Sequence, residues 1–213
     1  MDAALVAADV ATHAVAEIRP NASPSARASS NVLINGDFSD GVLGQSWTPL
    51  YAGSKAIVGW HVIAPVDYVS SAYWQTADAS RSIDLDGTPG PGAIAQTFPT
   101  VPHDTYVVRF KISANTEGPP KVKHVRVTVG GTTRTYSIDD SGRSNAAMHY
   151  AQASFNFVAP GKTATLEFAS LSRAGNWNGA VITSVVVSNG TDHLTGETAQ
   201  LVPASRVAMT LKP

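Results

Sequence analysis

The chain has 213 residues, of which 15% are charged, and its formal net charge is -1. This balance provides no basic surface for phosphates, so it argues against nucleic acid and anionic lipid heads as partners. The sequence contains no cysteine, which excludes a disulfide framework, a thiolate nucleophile and a cysteine-based zinc site. No run of about 18 apolar residues occurs, so no membrane-spanning helix is predicted.

Residues 1–30 lack the pattern of a folded domain. The segment Ala3–Ala16 is mostly Ala and Val and ends in the small-x-small form that a signal peptidase accepts, but no Lys or Arg precedes it. It is either a signal remnant or a short Ala-rich helix. The stretch 20–30 is rich in Pro, Ser and Ala and has nothing to bury, which is typical of a linker. The domain boundary is therefore predicted near Asn31.

The body of the chain shows the pattern of β-strands. Between Val32 and Val187 apolar residues recur with a period of two, which predicts strands with one buried face. Roughly eight to ten such strands, separated by Gly and Pro and without helices between them, indicate an all-β sandwich. The clearest predicted strands cover 106–112, 125–129, 133–138, 155–157, 164–168 and 181–187.

Two tight turns are predicted between these strands. Gly130–Gly131 separates two alternating runs and predicts a hairpin, and Pro160–Gly161 predicts a second hairpin between its flanking strands. The run at 181–187 is apolar at nearly every position, so we expect it to be buried on both faces. Residues 191–213 lose the pattern and are predicted to form a C-terminal extension, which leaves 31–190 as the sandwich.

A run of motifs in the first half of the body resembles a known family. The motifs are Asn31–Phe38, Gly59–Val62, Val66–Val69, Tyr73–Asp78, Arg81–Gly87 and Gly92–Phe98. In order and spacing they are similar to the choice-of-anchor C family, bacterial relatives of the plant cell-wall proteins of domain-of-unknown-function 642. The resemblance implies a secreted or cell-surface jelly-roll β-sandwich of the galactose-binding type. It also implies association with cell walls or extracellular polysaccharide and no established enzymatic activity.

The resemblance further implies a structural calcium site, from which this chain departs. Related domains open with Asn-Gly-x-Phe-Glu and close with an acidic pair, whereas Ser39 and Ile182–Val185 stand at those positions here. Ca²⁺ takes about six to eight oxygen ligands, so losing these carboxylates weakens the site even if Asp37 and Asp40 compensate in part. Asp37 is more simply a turn residue. We therefore expect no cofactor and no tightly bound metal ion.

Candidate ligand contacts are aromatic residues in loops, because sugar faces stack on aromatic rings while polar groups hold the hydroxyls. Tyr73 and Trp74 lie in a predicted loop, and Trp177 lies in a polar, Gly-rich one, where an exposed ring suggests a ligand. Trp60 lies in a strand-like run and is predicted to be core. Tyr150 either forms part of a loop rim or caps the sheet. With the resemblance, these rings suggest the contacts Tyr73, Trp74 and Trp177, with Asp67, Arg81, Asp84 and Gln96 as polar partners.

Asp84 and Asp86 raise the question of catalysis. In one strand their side chains would point to the same face about 6.5 to 7 Å apart, close to the separation in inverting glycosidases. Any strand with acids two apart meets that distance, whereas hydrolysis needs an acid and a base on opposite sides of a cleft. For Asp86 a structural role in the Asp86–Gly87 turn is the simpler interpretation. No Gly-x-Ser-x-Gly or His-Glu-x-x-His motif occurs, so no catalytic residue is predicted.

Three functions follow from these observations. The preferred one is a noncatalytic, extracellular module that binds a glycan or polysaccharide, because both the loop aromatics and the resemblance favour it. The alternatives are a structural or adhesive cell-surface protein that binds protein partners, and a glycoside hydrolase. The sequence leaves the glycan and the oligomeric state open.

Overall fold

The computed structural model describes residues 31–190, and the interpretations of 1–30 and 191–213 lie outside the described residues. Two antiparallel sheets face each other and form an all-β sandwich, without a helix in the described part of the chain. The strands are β1 (Trp47–Leu50), β2 (His61–Ala64), β3 (Val66–Ser70), β4 (Arg81–Asp84), β5 (Asp86–Gly87), β6 (Gly90–Pro91), β7 (Ala93–Pro99), β8 (Thr105–Ala114), β9 (Val122–Val129), β10 (Thr132–Asp139), β11 (Ala151–Val158), β12 (Thr163–Ser170) and β13 (Ala180–Asn189).

The strand order is that of a jelly roll. The six-stranded sheet has the order β1-β3-β4-β13-β8-β11, and the five-stranded sheet has the order β10-β9-β12-β7-β2. Eight strands, β4 and β7 to β13, form two interleaved sets of four, which is the two-Greek-key arrangement of this fold. Strands β1, β2 and β3 extend the two sheets, and β5 and β6 form a small separate hairpin. The predicted all-β jelly-roll sandwich is confirmed.

The core lies between the two sheets and is built by the alternating residues that the period of two predicts. On β9, Val125, Val127 and Val129 are completely buried, whereas the residues between them face outwards. Trp60 is only 2% exposed and packs beside the Phe168 ring, so its predicted place in the core is confirmed. Burial of such large side chains contributes about 1.5 to 3 kcal/mol each.

One of the two predicted hairpins is present. Gly130 and Gly131 join β9 to β10 with φ values of 53° and 78°, a conformation that glycine adopts without steric cost. The Pro160–Gly161 hairpin is wrong, because β11 pairs with β8 while β12 pairs with β7 and β9 in the other sheet. Alternation shows which face of a strand is buried, but both sheets bury their inner faces in the same core, so it does not show which sheet the strand joins.

The opening segment is fastened across one end of the sandwich. The amide of Val32 donates to the carbonyl of Val187 at 2.9 Å, and the Asn31 carboxamide also bonds to the backbone of β13. Asp37 accepts bonds from the amide and hydroxyl of Ser39, so it acts as a turn residue. Across residues 31–190, no group of three or more His, Asp or Glu side chains is placed to hold a metal ion. The same residues contain no helix that could span a membrane.

Candidate functional site

Several candidate residues meet on the outer face of the six-stranded sheet. Strand β1 contributes Trp47, the loop after β3 contributes Tyr73, and β3 itself contributes Asp67. The loop after β8 adds Glu117, and the loop before β11 adds Asn145. We call these five residues the acidic–aromatic surface.

Trp74 supports this surface from below. Its ring is 3% exposed and packs with Val69, Met148 and Val181 in a second apolar cluster, and its indole nitrogen donates to the Ser82 hydroxyl at 2.9 Å. The prediction of an exposed Trp74 is therefore wrong. The loop 71–80 is present as expected, but it folds back over the sheet instead of projecting from it. Burial of Trp74 also explains how the outer face of β13 is covered, so the expectation that this strand is buried on both faces is confirmed.

Two partly exposed rings lie on this support. The centroids of Trp47 and Tyr73 are 6.3 Å apart with an interplanar angle of 57°, and Tyr73 also meets the edge of Trp74 at 5.4 Å. The Tyr73 hydroxyl donates to the Glu117 carboxylate, whose oxygens lie at 2.8 and 2.9 Å. Asn145 donates to the same carboxylate at 2.9 Å. These bonds fix the Tyr73 ring and the Glu117 carboxylate in one geometry.

Asp67 is a carboxylate in a desolvated position. It is 8% exposed and its only hydrogen bond within the described residues comes from the Thr88 amide at 3.2 Å. Burial raises its pKa to about 6, with hydrogen bonding from Thr88 acting in the opposite direction. Asp67 lies directly opposite Asp84 on the neighbouring strand, where two like charges destabilise a sheet.

Asp84 lies behind the surface and organises it. It is 1% exposed and accepts three bonds, from the Asp86 amide at 2.9 Å, the Gly179 amide at 3.0 Å and the Asn115 side chain at 2.7 Å. Burial raises its pKa well above the ordinary value, and the charges of Asp86 and Asp67 add to the shift. Asn115 in turn accepts a bond from the Glu117 amide at 2.9 Å. Asp84 therefore anchors loops and has no surface with which to contact a ligand, contrary to the prediction.

Trp177 lies on a loop that Asp84 also anchors, through the amide of Gly179. Its ring is 57% exposed, in agreement with the expectation of an exposed ring in this polar, Gly-rich loop. The loop packs closely on the loop that carries Glu117, because a Cβ at Gly118 would lie 2.7 Å from the Asn178 side chain. Contact between Trp177 and a ligand stays a prediction.

Arg81 and Gln96 are placed away from the acidic–aromatic surface. The Arg81 guanidinium donates to the Gly41 carbonyl at 2.9 Å and lies over the Tyr68 ring, 5.1 Å from its centroid. Gln96 is 3% exposed, and both ends of its amide bond to the backbone of Ile34, at 2.7 and 2.8 Å. Both side chains fasten the opening segment to the sandwich. The prediction of Gln96 as a ligand contact is wrong, because the side chain is buried and both ends of its amide are used in these structural bonds. Contact between Arg81 and a ligand stays a prediction.

Asp86 shares the burial of Asp84. It is completely buried, and neither carboxylate oxygen has a donor in hydrogen-bonding geometry. Burial raises its pKa, while the nearby hydroxyls of Ser170 and Ser172 and the charge of Lys123 oppose the shift. Because neither Asp84 nor Asp86 reaches the surface, this pair cannot present two carboxylates to a glycosidic bond.

A separate cleft of about 320 Å³ lies beside the opening segment, lined by Asn31, Asp37, Asp78 and Ser184 among others. The Asp78 carboxylate is occupied there, because it accepts a bond from Ser184 and forms an ion pair with Lys111 at 3.2 Å. The cleft contains no aromatic ring. It lacks the stacking element that the acidic–aromatic surface has.

A comparison with known families assigns the chain. The model of the family described as "Protein of unknown function (DUF642)" matches residues 31–188. The chain belongs to the DUF642 family. The matched range coincides with the sandwich of this DUF642 chain almost from end to end, so the family part of the sequence resemblance is confirmed. The choice-of-anchor C part stays a prediction.

The DUF642 chain is also similar to solved carbohydrate-binding modules. One is a family 61 module in complex with β-1,4-galactotriose, with 17% identity, 76% of this chain and 99% of that chain covered, and a TM-score of 0.48. A second is a family 35 module from Paenibacillus barcinonensis, with 15% identity, coverage of 66% and 98%, and a TM-score of 0.41. No curated protein matches the chain.

Three residues of the acidic–aromatic surface in this DUF642 chain are absent from the sequence prediction. Trp47 stands in a short strand at the sheet edge, two residues before Pro49, and its only sequence signal is its residue type. Glu117 and Asn145 lie in loops that are 44 or more residues away from Tyr73 in the sequence. The Glu117 carboxylate joins the three residues, because it accepts hydrogen bonds from both Tyr73 and Asn145. Nothing in the local sequence links these positions.

Proposed function

We propose that the chain is a noncatalytic carbohydrate-binding module and that it holds its glycan on the acidic–aromatic surface. One observation carries the proposal. A nearly buried carboxylate without an ion pair, Asp67, is held on the same sheet face as two partly exposed rings, Trp47 and Tyr73. Stacking rings beside a hydrogen-bond acceptor are the elements that recognise a sugar.

The loss of folding stability that the charged Asp67 side chain causes supports a role of this residue in binding. Its carboxylate is desolvated and faces a second acid across the sheet, and both conditions oppose its charge. A neutral side chain at this position would make the sandwich more stable. Groups that reduce stability in this way are concentrated at functional sites, where the bound ligand supplies the missing contacts.

The chemistry of the surface suits a polyhydroxylated ligand. An apolar sugar face can stack on Trp47 and Tyr73, while Asp67 and Glu117 accept hydrogen bonds from hydroxyls. Bonds to an ionised acceptor contribute about 1.5 to 3 kcal/mol, more than neutral ones. The bonds from Tyr73 and Asn145 hold Glu117 before the ligand arrives, which lowers the entropy cost of binding.

The noncatalytic part of the proposal rests on the carboxylates. Asp84 and Asp86 are buried, and Glu117 already accepts bonds from Tyr73 and Asn145. Among residues 31–190, no accessible acid is therefore left without a structural partner opposite Asp67. We expect no reducing ends to be released when the protein is incubated with the polysaccharides that it binds.

The proposal is tested with a soluble polysaccharide panel in affinity electrophoresis, followed by calorimetry on the polymers that are bound. Trp47→Ala and Tyr73→Ala should each weaken binding roughly tenfold or more, which corresponds to about 1.4 kcal/mol. Tyr51→Ala is the matched control, because this ring is 58% exposed but is not part of the acidic–aromatic surface. Failure of the wild type to bind any glycan at millimolar concentration would refute the function. Unchanged affinity in both ring variants would refute the site.

We also propose that the protein acts outside the cell, at a wall or in extracellular polysaccharide, as the family resemblance implies. Separating culture medium, cell surface and cytoplasm and detecting the protein in each fraction tests this. A protein confined to the cytoplasm would contradict it.

A further inference from the structure

We infer that the acidic–aromatic surface selects glycans whose contacting sugars are neutral or carry an amino group, and that it rejects glycans built of uronic acids. This inference rests on the function proposed above and names its ligand class. It follows from the charges that face the surface and from the partners of the nearby cations.

The charges on the surface are all negative. Asp67 and Glu117 are its two ionisable acids, and Asp84 lies directly beside Asp67 on the neighbouring strand. Within residues 31–190 the ion pairs are Lys111 with Asp78 and Arg126 with Glu167, so no cation neutralises Asp67 or Glu117. The tyrosine hydroxyl that meets Glu117 is neutral, and its pKa is raised to about 12 by burial and by that carboxylate.

Three basic side chains on the surrounding elements, Lys111, Lys123 and Arg143, are directed to other partners. Lys111 on β8 lies 3.2 Å from Asp78, which belongs to the loop 71–80. Lys123 on β9 is buried between the sheets, where its ammonium donates to the Gly118 carbonyl at 2.6 Å. Arg143 donates to the backbone carbonyls of Asp139 and His149. None of these side chains is placed to receive the carboxylate of a bound sugar.

A uronic acid would meet this surface with like charge. Its carboxylate would replace a hydroxymethyl group that can donate a hydrogen bond to Asp67 or Glu117, so a favourable contact becomes a repulsive one. Two unit charges about 4 Å apart disfavour binding by about fivefold even at the dielectric constant of water, and more in a partly buried site. An amino sugar reverses the sign, because its ammonium can pair with the same carboxylates.

The experiment compares polymers that differ only in charge. Soluble β-1,4-galactan, glucomannan and mixed-linkage β-glucan are each tested beside a sample in which the primary alcohols have been oxidised to carboxylates. Chitosan oligosaccharides and their acetylated forms provide the cationic pair at pH 5, where the amino groups of chitosan are protonated. Binding is measured by calorimetry at low salt, in chelator, at pH 5 and pH 8. The expected result is that oxidation weakens binding about tenfold at pH 8, and less at pH 5, where Asp67 is mostly protonated.

Charge-removing variants connect the discrimination to the surface. Asp67→Asn and Glu117→Gln should each reduce the ratio between neutral and oxidised polymer by at least threefold. Glu167→Gln is the matched control, because it makes the same change of net charge on the outer face of the other sheet, and it should leave the ratio unchanged.

The outcomes separate this inference from the proposed function. Tight binding of a neutral polymer together with equal or tighter binding of its oxidised form would overturn the ligand class and leave glycan binding standing. Binding of oxidised polymer only when calcium is added would overturn it as well. If neither neutral, oxidised nor cationic glycans bind, the proposed function fails and the inference falls with it.

Discussion

Replacing Asp67 with Asn should stabilise the sandwich at neutral pH. The carboxylate is 8% exposed, and burial raises its pKa from 3.8 to about 6. A tenfold change in a proton-binding constant corresponds to about 1.4 kcal/mol, so ionising Asp67 in the folded protein costs about 3 kcal/mol. Asn carries no charge and its carbonyl can keep the bond from the Thr88 amide. The gain is an upper limit, because solvent still reaches part of the site.

The sign of the pH dependence follows from the proton count. Below pH 3.8 Asp67 holds its proton in both states, so the wild type loses nothing. Between pH 3.8 and about 6 the unfolded chain releases this proton while the folded chain keeps it, so the wild type becomes less stable as the pH rises. Above about pH 6 the full cost is present. The Asp67→Asn variant lacks this loss.

The assay is urea unfolding of wild type and variant at pH 4, 5, 6, 7 and 8. The difference in unfolding free energy should be about 0.5 kcal/mol at pH 4 and rise to about 3 kcal/mol at pH 7.5, or roughly 6 to 12 °C in melting temperature. Carboxyl carbon NMR should show an Asp67 titration near pH 6. Asp40→Asn, at an exposed turn, is the control and should leave the curve unchanged. Parallel stability curves for wild type and Asp67→Asn between pH 4 and pH 8 would refute the reasoning.

Three further substitutions test the packing around the surface. Trp74→Ala should cost roughly 3 to 5 kcal/mol in urea unfolding, because it empties a buried site, and a loss below about 1 kcal/mol would contradict its burial. Asp86→Asn should raise the melting temperature at pH 7 but not at pH 3, since burial raises the pKa of an acid that lacks a donor; a lower value at pH 7 would show that the charge is needed. Gly92→Ala should prevent folding, because a Cβ there would lie 1.7 Å from the Pro65 carbonyl oxygen. Gly161→Ala, with open space around the position, should express and melt like the wild type, and equal solubility of the two glycine variants would contradict this.

The sequence predicts the strands well because alternation is a local property. A period of two shows which side chains of β8, β9 and β12 face the core, and the structure agrees, although Val107 and Ser113 on the other face of β8 are buried as well. It cannot show which sheet receives a strand, and for this reason the Pro160–Gly161 hairpin is wrong: the chain passes from one sheet to the other there. The sheet that a strand joins depends on pairing with strands that are distant in the sequence.

The site is less predictable for the same reason. Asp67 and Tyr73 could be selected as an acid and an aromatic near a strand end, and both lie on the acidic–aromatic surface. Trp74 stands beside Tyr73 in a loop of polar residues, which favours an exposed ring. The loop folds back, however, so that the Trp74 ring is buried while the Tyr73 ring stays partly exposed. Glu117 joins the surface through a bond to a residue 44 positions away. Such a contact has no local pattern.

The hydrogen bond between Val32 and Val187 determines where a neighbouring segment of chain can be attached to the domain. It places the two ends of the described domain side by side, near the last residues of β13. Asp67 is in register, through Asp84, with Val181 near the start of the same strand, about 20 Å from Val187 at the rise of a β-strand. The Trp177 loop directly precedes that strand. A tether attached at Asn31 or Gly190 therefore leaves from the end of the sandwich that lies away from Asp67 and the Trp177 loop. A fusion partner or an immobilising tag can be added at either end without covering the surface that we propose for the glycan.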